Sequence, residues 1–136
     1  MKFMVLIYTD SSLLDALPPG QFDEMMRHCL AQADELRQDG HLLDSQMLQA
    51  PPTAKSIRTR NGRQTVVDGP FTETKEVLGG FNLIEADNME EALRIASQFP
   101  WAQTGCVEVR PVQDIGAVRE RVNAASSDRA TMSARR

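Results

Sequence analysis

The sequence predicts an α+β domain in which an antiparallel sheet carries two helices on one face and a hairpin is inserted midway along the chain. Three observations carry that expectation. The opening KFMVLIY is apolar at odd and even positions alike, two later segments repeat apolar residues at helical spacing, and short strand-like runs lie between them. At 136 residues the chain fits one domain, and folding at this size removes roughly two-thirds of the unfolded chain's surface from water. One core forms without covalent staples.

The first strand sets Phe3, Val5 and Ile7 against Met4, Leu6 and Tyr8, so both of its faces need cover and it belongs in the centre of a sheet. After the loop SSLLDALPPG, the segment from Gln21 to Asp39 places Phe22, Met25, Met26, Cys29, Leu30, Ala33 and Leu36 at helical spacing, with Gly40 as a stop. That is an amphipathic helix of five turns. HLLDSQML returns as a strand, Pro51 and Pro52 break it, and AKSIRTR and RQTVVD flank an Asn61-Gly62 turn as a polar hairpin towards a sheet edge. VLGGFNLIEA is the next strand. Its Gly79 and Gly80 lack the strand-to-helix setting of a dinucleotide loop, so close packing of a neighbouring element is the economical reason for them.

Asn88 followed by Glu91 is a capping-box pattern that opens a second helix, with Met89, Ala92, Leu93 and Ala96 on one face and Pro100 beyond its end. GCVEVRPV is the last strand. Ile115, Val118 and Val122 suit one or two helical turns before NAASSDRATMSARR loses apolar periodicity. Residues 1–113 therefore read as the domain, and 114–136 as a short helix and mobile tail.

Strand, helix, strand, hairpin, strand, helix, strand is the order of a ferredoxin-like domain. Two helices cover one face of such a sheet, yet the first strand is apolar on both. A symmetric dimer packed sheet against sheet supplies the missing cover, which makes the expected assembly a homodimer, a dimeric α+β barrel.

The net charge of −4 is unevenly spread: residues 114–136 carry +2 and residues 1–113 carry −6. An acidic body disfavours direct nucleic-acid binding, which needs clustered basic side chains. Lys55, Arg58, Arg60 and Arg63 do cluster, but they alternate with strand positions and read as a solvated hairpin. Cys29 and Cys106 lie in apolar periodic segments and read as buried thiols of a reducing compartment. No Cys/His spacing suggests zinc, and no motif calls for a cofactor. MKFMVLIYTD is too short an apolar run for a signal peptide, ends in Asp10 and lacks a small-residue cleavage site. It reads as a strand of a cytoplasmic protein. No stretch approaches the ~20 apolar residues that cross a bilayer, so no membrane partner is expected.

DGPFTETKE, Asp68 to Glu76, is the segment whose chemistry is open. As a turn it is well made: Asp-Gly-Pro is strong turn chemistry, Asp68 can bond nearby backbone N–H groups, Pro70 stiffens the chain, and Phe71 is expected to anchor the loop in the core. As a site, it presents Glu73, Lys75 and Glu76 from a short loop between rigid strands. A lysine among carboxylates holds them ionised, and crowding of one carboxylate by another raises a pKa towards the range of a general base.

DGPFTETKEVLGGFNLIEADNMEEALRIASQFP followed by GCVEVRPV resembles the YCII-related family, and within it the DGPF-domain branch. Asp68, Gly69, Pro70, Phe71, Glu73, Lys75, Glu76, Gly79, Gly80 and Phe81 all match the pattern. With MKFMVLIY and DGHLLDSQML the resemblance covers nearly everything up to about Val112. It implies a ferredoxin-like dimeric α+β barrel, and some relatives are linked by gene context to extracytoplasmic-function sigma factors. The wider family is associated with a His-Asp pair. This chain departs from it twice: Cys29 stands at the expected histidine position, and Phe99 precedes Pro100-Trp101 where an aspartate is expected. His28 flanks the apolar stripe and reads as a surface side chain, His41 sits at a strand entrance, and Trp101 suits covering a helix end.

Three functions follow. The first is a dimeric domain that binds a small polar ligand in a pocket between the sheet and the loop carrying Asp68, Glu73, Lys75 and Glu76. The second is an acid-base enzyme of isomerase or lyase type, with Glu73 as base, Lys75 stabilising an enolate-like intermediate and Asp68 beside them. The third is an accessory protein that meets a sigma factor through its arginine-bearing tail or its hairpin.

Overall fold

In a computed structural model that describes residues 1–71 and 74–134, the chain runs β1 (Lys2–Asp10), α1 (Ser11–Asp15), α2 (Gln21–Gln38), β2 (Leu42–Met47), β3 (Lys55–Arg60), β4 (Arg63–Asp68), β5 (Glu76–Glu85), α3 (Met89–Ala96), β6 (Gly105–Pro111) and α4 (Ile115–Ala134). The strands β2, β5, β1 and β6 bond in that order into a four-stranded sheet, and every neighbouring pair is antiparallel. β1 is central, as its two-sided apolar pattern requires. The order and the two crossing helices are those of a ferredoxin-like α+β fold.

Alternation along the strands decides what is buried. Phe3 and Val5 of β1 and Ile84 of β5 point to the helix side, where they are 1%, 0% and 0% exposed. They pack with Met25 and Leu36 of α2, Ala92, Ile95 and Ala96 of α3, and Leu42, Phe99 and Trp101. Each large side chain so buried contributes on the order of 1.5–3 kcal/mol. On the opposite face Met4, Leu6, Tyr8, Phe81 and Leu83 are only half-buried. Neither α2 nor α3, the helices of the core, covers this face.

The predicted capping box is present. Asn88 Oδ1 accepts the Glu91 N–H at 2.9 Å, and Glu91 Oε1 accepts the N–H of Asp87 at 3.0 Å, one residue before the capping position. Glycines in the sheet answer to close packing. The register steps from Ile7 opposite Gly80 to Tyr8 opposite Leu78, so Gly79 is the extra residue of a β-bulge. A Cβ on Gly80 would lie 2.8 Å from the Gln46 carbonyl oxygen, and one on Gly105 would lie 1.9 Å from that of Tyr8.

Several expectations are corrected. The loop after β1 contains α1, because Asp10 Oδ1 accepts the Ser12 N–H at 3.0 Å and caps it. Cys106 is exposed and Cys29 half-buried, so they are not two buried thiols. β6 turns Val107 and Val109 towards the helices, which leaves Cys106 facing away from them. β3 and β4 form a sheet of their own instead of joining the edge of the main one. The 3-10 turn Pro51–Thr53 redirects the chain after β2. α4 extends to Ala134, beyond the one or two turns that its few apolar residues suggest. No proline interrupts the segment after Gly116, which is rich in alanine and arginine, so helix propensity carries it without an apolar stripe.

Candidate functional site

The end of β1, the connection from β2 to β3 and the loop before β5 enclose a cleft of about 470 Å³. Leu48, Pro51, Ala54, Pro70, Phe71, Val77 and Leu78 make most of its wall, and Tyr8, Gln49, Thr53, Thr74 and Glu76 provide its polar groups. Tyr8 reaches it because the alternation of β1 sends that side chain to the face opposite α2 and α3. Glu76 starts β5 directly opposite Asp10, and Thr74 fixes the approach by donating its hydroxyl to the Glu76 carbonyl at 2.5 Å.

The candidate residues of the Asp68–Glu76 segment are divided between this cleft and its surroundings. Asp68 closes β4, and its exposed carboxylate takes a hydrogen bond from Lys55 Nζ at 2.6 Å across the hairpin. The turn itself is held by backbone groups: the Gly69 N–H donates to Ala54 O at 2.7 Å, and Ser56 Oγ donates to Gly69 O at 2.8 Å. Gly69 has φ +93°, which a residue with a side chain rarely adopts. Phe71 is 69% exposed and does not anchor the loop in the core. Its ring instead lies 4.8 Å beneath the Arg58 guanidinium. Its place is on the wall of the cleft and not in the core cluster. Glu73 lies outside the described residues.

Lys75 turns towards a residue that sequence reasoning passed over. Its Nζ is 3.6 Å from Oδ2 of Asp10, a carboxylate 3% exposed at the end of β1. Asp10 Oδ1 also accepts the Ser12 hydroxyl at 2.6 Å. That hydroxyl is the main reason why the Asp10 pKa lies below the ordinary aspartate value; burial opposes it, and the Ser12 and Leu13 N–H groups and Lys75 reinforce it. The signal was local: Asp-Ser-Ser before Leu-Leu is an N-cap pattern. Tyr8 had no such signal, since only the assembled cleft singles it out from the other apolar positions of β1.

A second groove, of about 430 Å³, lies between α2 and the residues that follow α3, lined by Gln21, Glu24, His28, Gln98, Pro100 and Gln103 among others. His28 is exposed there with Nε2 3.3 Å from the Gln98 carbonyl oxygen, and His41 Nδ1 lies 2.9 Å from that of Glu85. Beneath it, the Trp101 indole N–H donates to Cys29 Sγ at 3.2 Å, and the indole packs on Phe22 with ring centroids 5.9 Å apart. Burial pushes the Cys29 thiol up, and the indole N–H only partly offsets this. Of the two positions where the resemblance places a His-Asp pair, Cys29 thus meets the Trp101 indole and Phe99 is core. Among the described residues no three His, Cys, Asp or Glu side chains converge to hold a metal ion, and no helix is long and apolar enough to cross a membrane.

A four-stranded antiparallel sheet with two helices on one face and a cleft at the end of its central strand defines the class: a ferredoxin-like α+β protein. The chain belongs to the YCII-related family, whose model, the YCII-related domain, matches residues 1–116. It is also 36% identical over 114 residues to an uncharacterized protein of Rhizobium meliloti (strain 1021), an alignment that covers 82% of this chain and 92% of the relative.

Proposed function

We propose that this chain is a dimeric small-molecule-binding domain of the DGPF branch, with its ligand in the cleft between Tyr8, the β2–β3 connection and the loop that leads into β5. The cleft itself carries the reading. Its size falls within the roughly 300–1,000 Å³ of small-molecule sites, and a mostly apolar wall with a few polar groups is the usual composition of such sites. Glu76, the one carboxylate among the described residues of its lining, favours a ligand with an apolar body and a cationic or hydrogen-bond-donating group. Lys75, paired with Asp10, is a rim residue in this reading, and Glu73 remains a candidate on the sequence pattern alone.

The dimer rests on the face opposite α2 and α3, where Met4, Leu6 and Phe81 form a continuous half-buried apolar stripe. Soluble monomers rarely leave such a stripe uncovered, and a second copy of the same face covers it. The acid-base alternative has less support, because Asp68 and Lys75 belong to separate ion pairs.

The test is a titration of isotope-labelled protein with benzylamine, with benzoate as the charge-reversed control, following the amide signals of Tyr8, Leu78 and Glu76. Saturable shifts at those residues with benzylamine and weaker ones with benzoate support the cleft. Shifts scattered over the surface, or none, reject it. Sedimentation of the wild type and Leu6→Arg checks the dimer separately: a monomeric wild type would sink that part of the reading.

A further inference from the structure

Among the described residues, the hairpin β3–β4 has little support from its own chain. Every residue of β4 is exposed, and β3 is exposed except at Ser56. Among the described residues it packs on no other element to any substantial extent, and its attachments are confined to the base: the Gly69–Ala54 and Ser56–Gly69 hydrogen bonds and the Arg58–Phe71 contact. An isolated two-stranded hairpin is marginally stable at best in water.

Its side chains are arranged for a partner on both faces. Ile57 opposes Val66 on one face, and the two are 68% and 59% exposed. The register puts Arg58, Arg60 and Arg63 together on the other face, with Arg60 directly opposite Arg63. Like charges opposed across a ladder are destabilising, and among the described residues none of the three arginines is in a salt bridge. Residues 55–68 carry four basic side chains against one acidic, or +3, while the rest of residues 1–113 carries six against fifteen, or −9. The body of the same protein is therefore a charge complement to this hairpin.

We propose that β3–β4 is an arm that docks on a second copy of this chain, burying Ile57 and Val66 and setting the Arg58, Arg60 and Arg63 face against acidic surface of that copy. The inference deepens the dimer reading above and rests on it. A symmetric exchange of arms closes the assembly, since each copy gives one arm and receives one. It accounts for the opposed arginines, whose mutual repulsion is offset once carboxylates face them.

Amide hydrogen exchange, read at protein concentrations about ten-fold below and above the dimer dissociation constant, tests the arm. Protection of residues 55–68 that rises with dimer formation is the expected result. The triple variant Arg58→Glu/Arg60→Glu/Arg63→Glu should weaken dimerisation by about ten-fold or more in low salt, with the difference shrinking in high salt. Dimers whose hairpin amides exchange as fast as in the monomer overturn the arm and leave the sheet-face dimer standing. A wild type that is monomeric at every concentration overturns the dimer reading itself and the arm with it. Ile57→Lys, which leaves the arginines in place, provides a second variant should the triple one unfold; unchanged dimerisation there also counts against the arm.

Discussion

Lys75 Nζ stands 3.6 Å from Asp10 Oδ2 and links the residue before β5 to the last residue of β1 at the edge of the cleft. The partners are unlike: the Asp10 side chain is 4% exposed and that of Lys75 is 79% exposed. An exposed ammonium at that distance contributes little, because water screens it and holding a long side chain in one geometry costs entropy. Asp10 is held by Ser12 and the start of α1, and Lys75 is the adjustable member.

The Asp10 carboxylate should make stability depend on pH in one direction. Its pKa is lowered in the folded state, chiefly by the Ser12 hydroxyl. A lowered folded pKa contributes stability above the unfolded carboxylate value, near ~3.9, and that stability is lost as pH falls through the folded value. Asp10→Asn should thus melt below the wild type at pH 7, and the gap should close under acid conditions. Lys75→Met should change either melting temperature very little. Calorimetry across the acid range decides it, and a gap that stays constant with pH contradicts the assignment.

The three sheet glycines should not tolerate alanine equally. A Cβ on Gly105 would sit 1.9 Å from the Tyr8 carbonyl oxygen, and that obstacle is backbone in the central strand. On Gly79 it would meet Thr9 Oγ1 at 2.9 Å, a side-chain tip able to rotate away. Gly105→Ala should cost about 1–3 kcal/mol or more in urea unfolding, and Gly79→Ala distinctly less. Equal losses would mean that the edge strand β6 moves aside freely.

Much of the fold is legible in the sequence because burial imposes a period. β1, α2, β5, α3 and β6 each show apolar residues at the spacing their element requires, and the core residues Phe3, Val5, Met25, Leu36 and Ile84 lie on those stripes. What depends on contacts between distant residues is less legible. Phe71 has the composition of a core anchor, and only the path of the hairpin places it beneath Arg58. Asp68 is drawn to Lys55 by a cross-strand register that a turn motif does not encode. Asp10 and Tyr8 are strand residues by pattern, and they gain a role from Lys75 and Glu76, which the pairing of β5 with β1 brings to the end of that strand. α4 escapes periodic reading for the opposite reason: it has no apolar face to announce it.

The two cysteines should react at different rates. Cys106 is exposed on β6, whereas Cys29 is half-buried, accepts the Trp101 indole N–H and has a raised pKa. Less thiolate and less access both slow alkylation. Iodoacetamide near pH 8, at protein concentrations too low for the proposed dimer to cover the sheet face, should label Cys106 faster than Cys29 by about ten-fold or more, as read by peptide mass spectrometry. Trp101→Ala should narrow that ratio by opening the thiol to solvent, even though it removes a donor that lowers the Cys29 pKa, because access is the stronger restraint. Labelling of Cys29 first would show that α2 opens more readily than its core contacts imply.

The cleft makes the last prediction, through a contrast of size and charge. Leu78 is 39% exposed, on the wall of the cleft, so a larger side chain there can occupy the space without entering the core. Leu78→Trp should leave the melting temperature near that of the wild type and reduce benzylamine affinity by about ten-fold or more, or about 1.4 kcal/mol. Glu76→Gln keeps the side chain's size and one acceptor oxygen but removes its charge. It should abolish the preference for benzylamine over benzoate and leave an uncharged aromatic such as phenol bound as before. If Glu76→Gln weakens all three probes alike while the fold is intact, Glu76 shapes the cleft and does not select the charge of its ligand.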